Sequence, residues 1–553
     1  MLTIFNISKG IMIKNLYLLL IVIVLSSCFS TNTEERSNSM VFRYNEKDAG
    51  IVTLDPMMAN DMHHNWIFNM LFNGLVRLDD SLNIQPSIAY KWKVSDGGKK
   101  YTFFLRDDVY FQDNEHFPNG KGRKVTAKDF EKTFDRIIEK KRALGAFVDK
   151  LDYSNLTEPG IYAKGEHVLV IKLNEPFPPL LGVLSMQMYS VLPMEIVEKL
   201  GEDFRSSPVG TGPFKLMRWE EGSSIILSKN NNYFEFDQES VRLPYLDRVE
   251  VSFVKDPYAE FMNLSKGKLD MISAVEGAEK DKLINTDGSL KDKYKDKFVL
   301  ESEPFLNTEY LGFIVDGEDN MFSNSYLRKA ICYAIDKKKM IQFLKNGMGI
   351  PAEYGFVPFG FPGYEAEKIK GYSYNIDKSF EMLDKAGFPQ GKGLPQLTLY
   401  TTPSYKELCE YIQFQLRQVN IDLKVEVNSP SVTRQSISEG DFKFFRKSWI
   451  ADYPDPENYL SLFYSSNFSP NGPNYSHYSS EEYDALYEKS LLELSPKRRL
   501  DYYFQMDQMV MDELPVIPLF YDKSFRLYHK GIEGLTNNPI NLLDLRYVKK
   551  KLS

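Results

Sequence analysis

The sequence predicts a mixed α/β protein with more than one domain. Runs of alternating apolar and polar residues, typical of strands, recur between stretches whose apolar residues have helical spacing. The length of 553 residues is a second indication, because single hydrophobic cores stop growing beyond about 250–300 residues. We therefore expect an α/β fold divided into two or three domains.

Strands are expected where β-branched and aromatic residues alternate with polar ones. The clearest case is 421–427, in which Ile421, Leu423, Val425 and Val427 alternate with polar residues. Such a strand has one face in the core and the other in water. Four further segments predict strands: 101–105, 168–173, 224–228 and 249–254.

Two helix starts are indicated by capping residues. Thr126 and Asp129 have the spacing of a capping box, in which side chains at the helix start satisfy free backbone N–H groups. Asn324 or Ser325 is expected to cap another helix, which Gly347 closes. The apolar faces of both helices are predicted to lie in the core.

The N-terminus has the features of a secretion signal. Lys9 and Lys14 give it positive charge, and 16–25 is apolar apart from Tyr17. This run is shorter than the ~20 apolar residues of a membrane-spanning helix, so a cleaved signal is expected. An uncleaved signal anchor is the alternative.

Small residues before Cys28 complete a pattern that resembles a bacterial lipobox. On this resemblance residues 1–27 are a signal peptide, and Cys28 is lipidated as the first residue of the mature protein. Residues 28–40 then form a flexible tether, and Met12 is an alternative start to Met1. We therefore expect an extracytoplasmic lipoprotein anchored to a membrane, in the periplasm or at the cell surface.

Composition argues against several function classes. The formal net charge of −8 comes without the basic patch that nucleic-acid binding requires. Cys332 and Cys409, the cysteines beyond Cys28, are too few for a disulfide scaffold and are expected to be buried free thiols. His63 and His64 are adjacent and cannot copy the i, i+4 geometry of a zinc helix. No catalytic motif is found, so neither an enzyme nor a cofactor or metal is predicted.

The segment 449–456, Trp-Ile-Ala-Asp-Tyr-Pro-Asp-Pro, is the leading candidate for a binding element. Pro454 and Pro456 fix φ and prevent a helix from continuing through it. A stiff, extended segment with an aromatic ring, free backbone groups and the carboxylate of Asp452 suits one end of a small cationic ligand. An ordinary acidic surface turn is the alternative.

Segments along nearly the whole chain resemble, in order, the oligopeptide- and dipeptide-binding proteins of bacterial ABC importers. They include 53–56, 69–75, 86–92, 101–109, 125–129, 208–214, 310–313, 327–336 and 515–518. The resemblance implies a two-lobed periplasmic-binding-protein clamshell with an additional domain inserted in the first lobe. The expected boundaries are 40–70, 207–298 and 515–553 for lobe I, 71–206 for the inserted domain and 299–514 for lobe II.

Proteins of this kind hold an extended peptide between the lobes by backbone pairing, as in strand addition. On this resemblance Asp452 pairs with the ammonium group of the peptide. Trp449, Ile450 and Ala451 supply the backbone edge, and the ring of Trp449 packs on a ligand side chain. Arg446 meets the carboxyl terminus of the ligand, with a solvent-facing arginine as the alternative.

Four further residues are expected near the ligand. Tyr453 is expected to pack within its lobe, next to the binding segment. Met57, Met58 and Asn60 are expected to line the opposite wall of the cleft. One departure concerns 428–432, which lacks the tryptophan that oligopeptide binders often carry there, so peptide length and side-chain preference stay open.

The predicted function is the capture of extended oligopeptides and their delivery to an ABC permease with its ATPase subunits. The protein is expected to act as a monomer. Alternatives within the resemblance are binders of dipeptides, cell-wall peptides or a nickel chelate. An alternative of another class is a surface adhesin or peptide sensor built on the same fold.

Overall fold

A computed structural model of the chain describes residues 39–46, 51–58, 63–139, 147–154, 159–273, 277–317 and 319–551. The predicted signal peptide, Cys28 and Asn60 lie outside these ranges. Across the ranges described, no helix is both long enough and apolar enough to cross a membrane.

The strands of the described residues form one large sheet and three small ones. In chain order they are β1 Val41–Asn45, β2 Val76–Leu78, β3 Ile84–Pro86, β4 Ala89–Ser95, β5 Lys100–Leu105, β6 Ile161–Ala163, β7 Val168–Lys172, β8 Phe214–Glu220, β9 Ser224–Lys229, β10 Arg248–Ser252, β11 Met271–Ile272, β12 Phe298–Phe313, β13 Ile350–Pro351, β14 Leu397–Thr401, β15 Leu423–Val427, β16 Phe444–Ile450, β17 Val516–His529, β18 Ile532–Glu533 and β19 Lys549–Lys550.

The described residues also form fifteen α-helices. They are α1 His63–Leu71, α2 Ala127–Glu139, α3 Leu180–Val183, α4 Met194–Leu200, α5 Pro257–Ser265, α6 Gly277–Leu283, α7 Asp292–Lys295, α8 Ser325–Ala334, α9 Lys337–Lys345, α10 Ile376–Lys385, α11 Lys406–Arg417, α12 Pro430–Ser438, α13 Glu457–Leu460, α14 Glu481–Leu492 and α15 Pro496–Glu513.

The predicted strands are confirmed to within two residues at each end, as β5, β7, β9, β10 and β15. The predicted helix start at Thr126 is also confirmed, since the Asp129 carboxylate accepts the Thr126 backbone N–H at 2.8 Å. The helix capped by Asn324 ends earlier than predicted. It stops at Ala334, and Asp336 caps a new helix that ends before Gly347.

The large sheet has two halves that share two long strands. The first half contains β8, β9, β10, β1 and β11, and the second half contains β16, β14 and β15. Strands β12 and β17 lie between them and pair antiparallel with each other. Their pairing is irregular between Pro304 and Thr308, which is where the chain passes from one half to the other.

The region between β1 and β8 forms a separate structural layer. Strands β4, β5, β7 and β6 make a four-stranded sheet in that order, and α2 packs against its apolar face. Tyr453, far away in sequence, is buried in the same apolar cluster. The segment after β16 therefore packs against the inserted region as well as against its own half of the sheet.

Both cysteines of the described chain, Cys332 and Cys409, are buried free thiols. Burial raises the pKa of the Cys409 thiol to about 11, which keeps it protonated and unreactive at neutral pH. The expectation from composition is confirmed for these two residues.

Candidate functional site

A cavity of about 600 Å³ lies where the two halves of the molecule and the inserted region meet. Its walls come from five parts of the chain: 56–57, 65–87, 185–188, 450–454 and 538–546. The volume falls within the roughly 300–1,000 Å³ typical of small-molecule sites. The predicted binding segment thus forms one wall of a ligand-sized cavity.

Asp452 lies in this wall with its carboxylate exposed to the cavity. Its surroundings raise the pKa of the carboxyl group, because the cavity wall removes part of its solvation. A hydrogen bond from Asn458 Nδ2 to Oδ2, at 3.4 Å, opposes this shift. No cation among the described residues forms an ion pair with Asp452, so a positively charged ligand group could satisfy it.

Asn458 holds the binding segment in place from behind. Its side-chain oxygen accepts the indole N–H of Trp449 at 3.0 Å and the backbone N–H of Asp452 at 3.2 Å. The side chain of Asn458 is 4 % exposed, so these bonds are shielded from water. The carboxylate of Asp452 therefore projects from a fixed backbone.

Ile450, the last residue of strand β16, lines the cavity, and its backbone N–H and C=O groups point away from β12. Ala451 donates its N–H to the carbonyl of Leu306 at 2.9 Å, so Ala451 presents its backbone to β12. Because successive residues of a strand present their N–H and C=O groups to opposite edges, Ile450 presents its own groups to the other edge. On that edge β16 pairs with β14 at Phe445. Closer to Ile450, no described strand pairs with it.

The opposite wall of the cavity also includes a strand edge. Strand β2, which contains Val76, Arg77 and Leu78, pairs with β3 alone among the described strands. All three residues line the cavity. An extended ligand could therefore meet an unpaired strand edge on each side.

One group of charges in the wall is balanced internally. Arg546 binds Asp544 through two nitrogens, at 2.9 and 2.5 Å, and Glu235 behind the wall at 2.5 Å. Burial acts to raise the pKa of Asp544, but Arg546 outweighs it and the pKa is lowered. Arg77 lies 3.6 Å from Glu235 through Nε. Two carboxylates and two guanidinium groups therefore offset one another.

Asp79 and Asp80 are neighbours with different surroundings. Asp79 accepts backbone N–H groups of Ser81 and Asn83, both at 2.9 Å. Partial burial acts to raise its pKa, but these bonds and the Asn83 side chain lower it. Asp80 is exposed to the cavity and accepts one hydrogen bond, from Thr536 Oγ1 at 3.1 Å.

Arg446 lies on the same strand as Ile450 but does not line the cavity. Its side chain is buried and donates to the carboxylate of Glu309, which is 2 % exposed. Burial raises the pKa of Glu309, and Arg446 opposes the shift. Both sequence-based expectations for Arg446, a ligand carboxylate or solvent, differ from this internal ion pair.

The remaining predicted residues divide between the cavity and its surroundings. Met57 lines the cavity, whereas Met58 does not. Trp449 was expected to pack its ring on a ligand side chain, but it does not line the cavity, and its ring packs against an apolar cluster of the protein. Tyr453 borders the cavity and donates to Glu457 at 2.5 Å. It was expected to pack within its own lobe, but it is buried in the apolar cluster of the inserted region.

Apart from Met57, sequence reasoning missed the residues that line the cavity outside the segment 450–454. Arg77 and Asp80 come shortly after the recognised segment 69–75. Their closeness to that segment was the one sequence signal that could have indicated a place in the cavity wall. Asn541 lies near the C-terminus, and its side-chain Oδ1 is buried beside the cavity without a hydrogen-bond partner. No sequence pattern distinguishes this asparagine from its neighbours.

These features define a class of protein. The molecule has two halves that share the paired strands β12 and β17, with a ligand-sized cavity between the halves. This is the arrangement of a solute-binding clamshell, whose halves can close by hinge motion. An inserted domain completes the arrangement.

Comparison with known proteins gives the family. The profile of the middle part of the bacterial extracellular solute-binding proteins, family 5, matches residues 83–471. The dipeptide-binding protein DppE of Bacillus subtilis (strain 168) is 27% identical over 511 residues, which cover 87% of this chain and 87% of that protein. The chain belongs to this family, and the predicted resemblance is confirmed.

Solved structures agree with the fold. The periplasmic binding protein DppA from Helicobacter pylori, in complex with the peptide STSA, has a TM-score of 0.75 and 25% identity, covering 94% of this chain and 99% of that one. The oligopeptide-binding protein OppAIV from Borrelia burgdorferi has a TM-score of 0.72 and 26% identity, covering 93% and 100%. The predicted two-lobed fold with an inserted domain is confirmed, and membership agrees with the expectation of a binding protein and not an enzyme.

Proposed function

We propose that this protein captures short, extended peptides in its inter-lobe cavity and delivers them to an ABC permease. The observation that carries the proposal is the Asp452 carboxylate, which faces a ligand-sized cavity from a rigid backbone and lacks a cation partner in the described chain. A free peptide amino terminus supplies that cation.

The unpaired strand edges support an extended ligand. Ile450 and β2 offer backbone groups from opposite walls, and peptide backbone can pair with both by strand addition. Such contacts use groups that every peptide has. Affinity would therefore depend on the backbone and the amino terminus more than on most side chains.

Ligand capture would be coupled to closure of the lobes. The permease must favour the closed, loaded form, because a partner with equal affinity for both shapes shifts no equilibrium. Lipidation at Cys28 would hold the protein at the membrane close to the permease. Replacement Cys28→Ala is expected to leave an unlipidated precursor, and unchanged membrane association would contradict this part of the proposal.

The direct test is mass spectrometry of ligands released from purified protein. We expect peptides from the wild type and from Asp107→Ala, which removes an exposed carboxylate outside the cavity wall. Asp452→Ala should carry few or none. The proposal is overturned if no peptide co-purifies with the wild type and a random peptide pool also fails to raise its melting temperature.

A further inference from the structure

The charges of the cavity wall do not cancel. The wall contains the carboxylates of Asp79, Asp80, Asp452 and Asp544 and the guanidinium groups of two arginines. One aspartate is bound by Arg546, and another accepts the hydrogen bonds of its own turn. Asp452 and Asp80 are left, and neither forms an ion pair within the described chain.

Asp80 is exposed in the cavity wall and forms no ion pair among the described residues. Partial burial and repulsion from Asp544 raise its pKa, and the hydrogen bond from Thr536 and attraction to Arg526 offset this incompletely. Arg526 is fully buried and donates through Nη2 to the carbonyl of Leu542 at 3.0 Å. It forms neither a hydrogen bond nor an ion pair with Asp80 among the described residues, so its attraction acts at longer range.

We propose that Asp80 binds a second positive group of the ligand, so that the cavity selects peptides carrying a lysine or arginine side chain. This inference rests on the proposed peptide-binding function. The amino terminus would pair with Asp452, and the basic side chain would pair with Asp80 on the opposite wall. A ligand with one basic side chain would satisfy both unpaired carboxylates at once.

The contacts of Asp80 allow its charge to be removed without loss of its hydrogen bond. Its single hydrogen bond joins it to Thr536, on the segment that follows β17 and continues into the cavity wall at 538–546. An asparagine in its place can still accept that bond, so Asp80→Asn removes the charge and leaves the local contact possible. The variant is therefore a test of charge and not of folding.

The experiment compares binding of short peptides by titration calorimetry. The three tripeptides that place one lysine among two alanines are each paired with the peptide that has norleucine at the same position. The wild type and the matched control Asp107→Asn should bind at least one lysine peptide about ten-fold or more tightly than its norleucine partner, which corresponds to about 1.4 kcal/mol. Asp80→Asn should lose this preference and still bind the norleucine peptides.

Three outcomes would overturn the inference. Equal affinity for lysine and norleucine peptides in the wild type would mean that the cavity does not select a basic group. A lysine preference that persists in Asp80→Asn would assign the selection to another residue. If no peptide binds, the proposed peptide-binding function is wrong as well. In the first two outcomes peptides still bind, so only the inference about Asp80 fails.

Discussion

The side chain of Asn458 contacts Asp452 twice: its oxygen accepts the Asp452 backbone N–H at 3.2 Å, and its nitrogen donates to the Asp452 carboxylate at 3.4 Å. The same oxygen accepts the indole N–H of Trp449. One buried amide therefore fixes both the backbone and the carboxylate of the residue that we assign to the ligand ammonium group.

Replacement Asn458→Ala should weaken peptide binding about ten-fold, although Asn458 does not line the cavity and so does not contact the ligand itself. It should also lower the free energy of unfolding by about 1–3 kcal/mol, because the buried indole N–H of Trp449 loses its acceptor. Calorimetry and denaturant unfolding measure the two effects. The exposed Asn231, whose side chain forms no hydrogen bond in the described structure, provides the control Asn231→Ala; an equal loss of affinity there would contradict the role of Asn458.

Peptide affinity should fall on acidification at a higher pH than an ordinary aspartate would cause. The free protein has a raised Asp452 pKa, whereas a bound ammonium group favours the charged carboxylate. Affinity is therefore complete above the raised pKa of the free form and is lost as the pH falls through it. Titrations between pH 7.5 and pH 4 should show this loss in the wild type. The variant Asp452→Asn should bind weakly with little pH dependence from this site, and an unchanged pH profile would contradict the assignment.

Bulk at Gly182 should hinder closure of the cleft. A Cβ at Gly182 would lie 3.4 Å from Cδ of Pro454 and 3.9 Å from Cβ of Tyr453, which is ordinary contact distance. Gly182→Ala should therefore bind peptide like the wild type, whereas Gly182→Phe should push the binding segment away and weaken affinity. Small-angle scattering with and without peptide measures closure. If Gly182→Phe closes normally on peptide, the close packing of Gly182 against Pro454 is not needed for closure of the cleft.

The ion pair between Arg446 and Glu309 should matter for stability more than for ligand recognition. Arg446→Met leaves a buried carboxylate unpaired, which costs about 3–5 kcal/mol of unfolding free energy. The double variant Glu309→Gln, Arg446→Met should recover much of this loss. Denaturant unfolding measures both.

The same variants separate the structural role from a ligand contact. If Arg446 reads a peptide carboxyl terminus, the folded double variant should lose its preference for a free carboxylate over an amidated peptide. We expect that preference to be unchanged, because Glu309 occupies the guanidinium group and Arg446 lies off the cavity.

Sequence patterns predicted those strands, helix ends and turns whose structure depends on neighbouring residues in the chain. The alternation in 421–427 gave strand β15, and the prolines after Asp452 gave a stiff segment in the right place. The helix predicted to continue to Gly347 breaks at Asp336, whose carboxylate caps the next helix by accepting the Lys339 N–H at 3.0 Å. A capping residue inside an apolar pattern was missed because the pattern continues across it.

Contacts between distant residues could not be predicted in this way. Glu309 lies 137 residues before Arg446, and nothing in either local sequence specifies their pairing. The contact between Asp80 and Thr536 spans 456 residues, and Asp80 reaches the cavity only because the C-terminal segment returns to it. The cavity-lining segment 450–454 could be predicted from sequence, whereas the other charges of the cavity wall could be placed only in the folded chain.

The proposed pairing of Asp452 with the amino terminus of a peptide can be tested by measuring two ligands against two proteins. Calorimetry would compare trialanine with its N-acetylated form in the wild type and in Asp452→Asn. The wild type should prefer the free amine by at least about 100-fold, equivalent to about 2.7 kcal/mol, and the variant should bind both forms with similar, weak affinity. Equal binding of the two ligands by the wild type, or a preference for the free amine that survives in Asp452→Asn, would show that Asp452 does not bind the amino terminus.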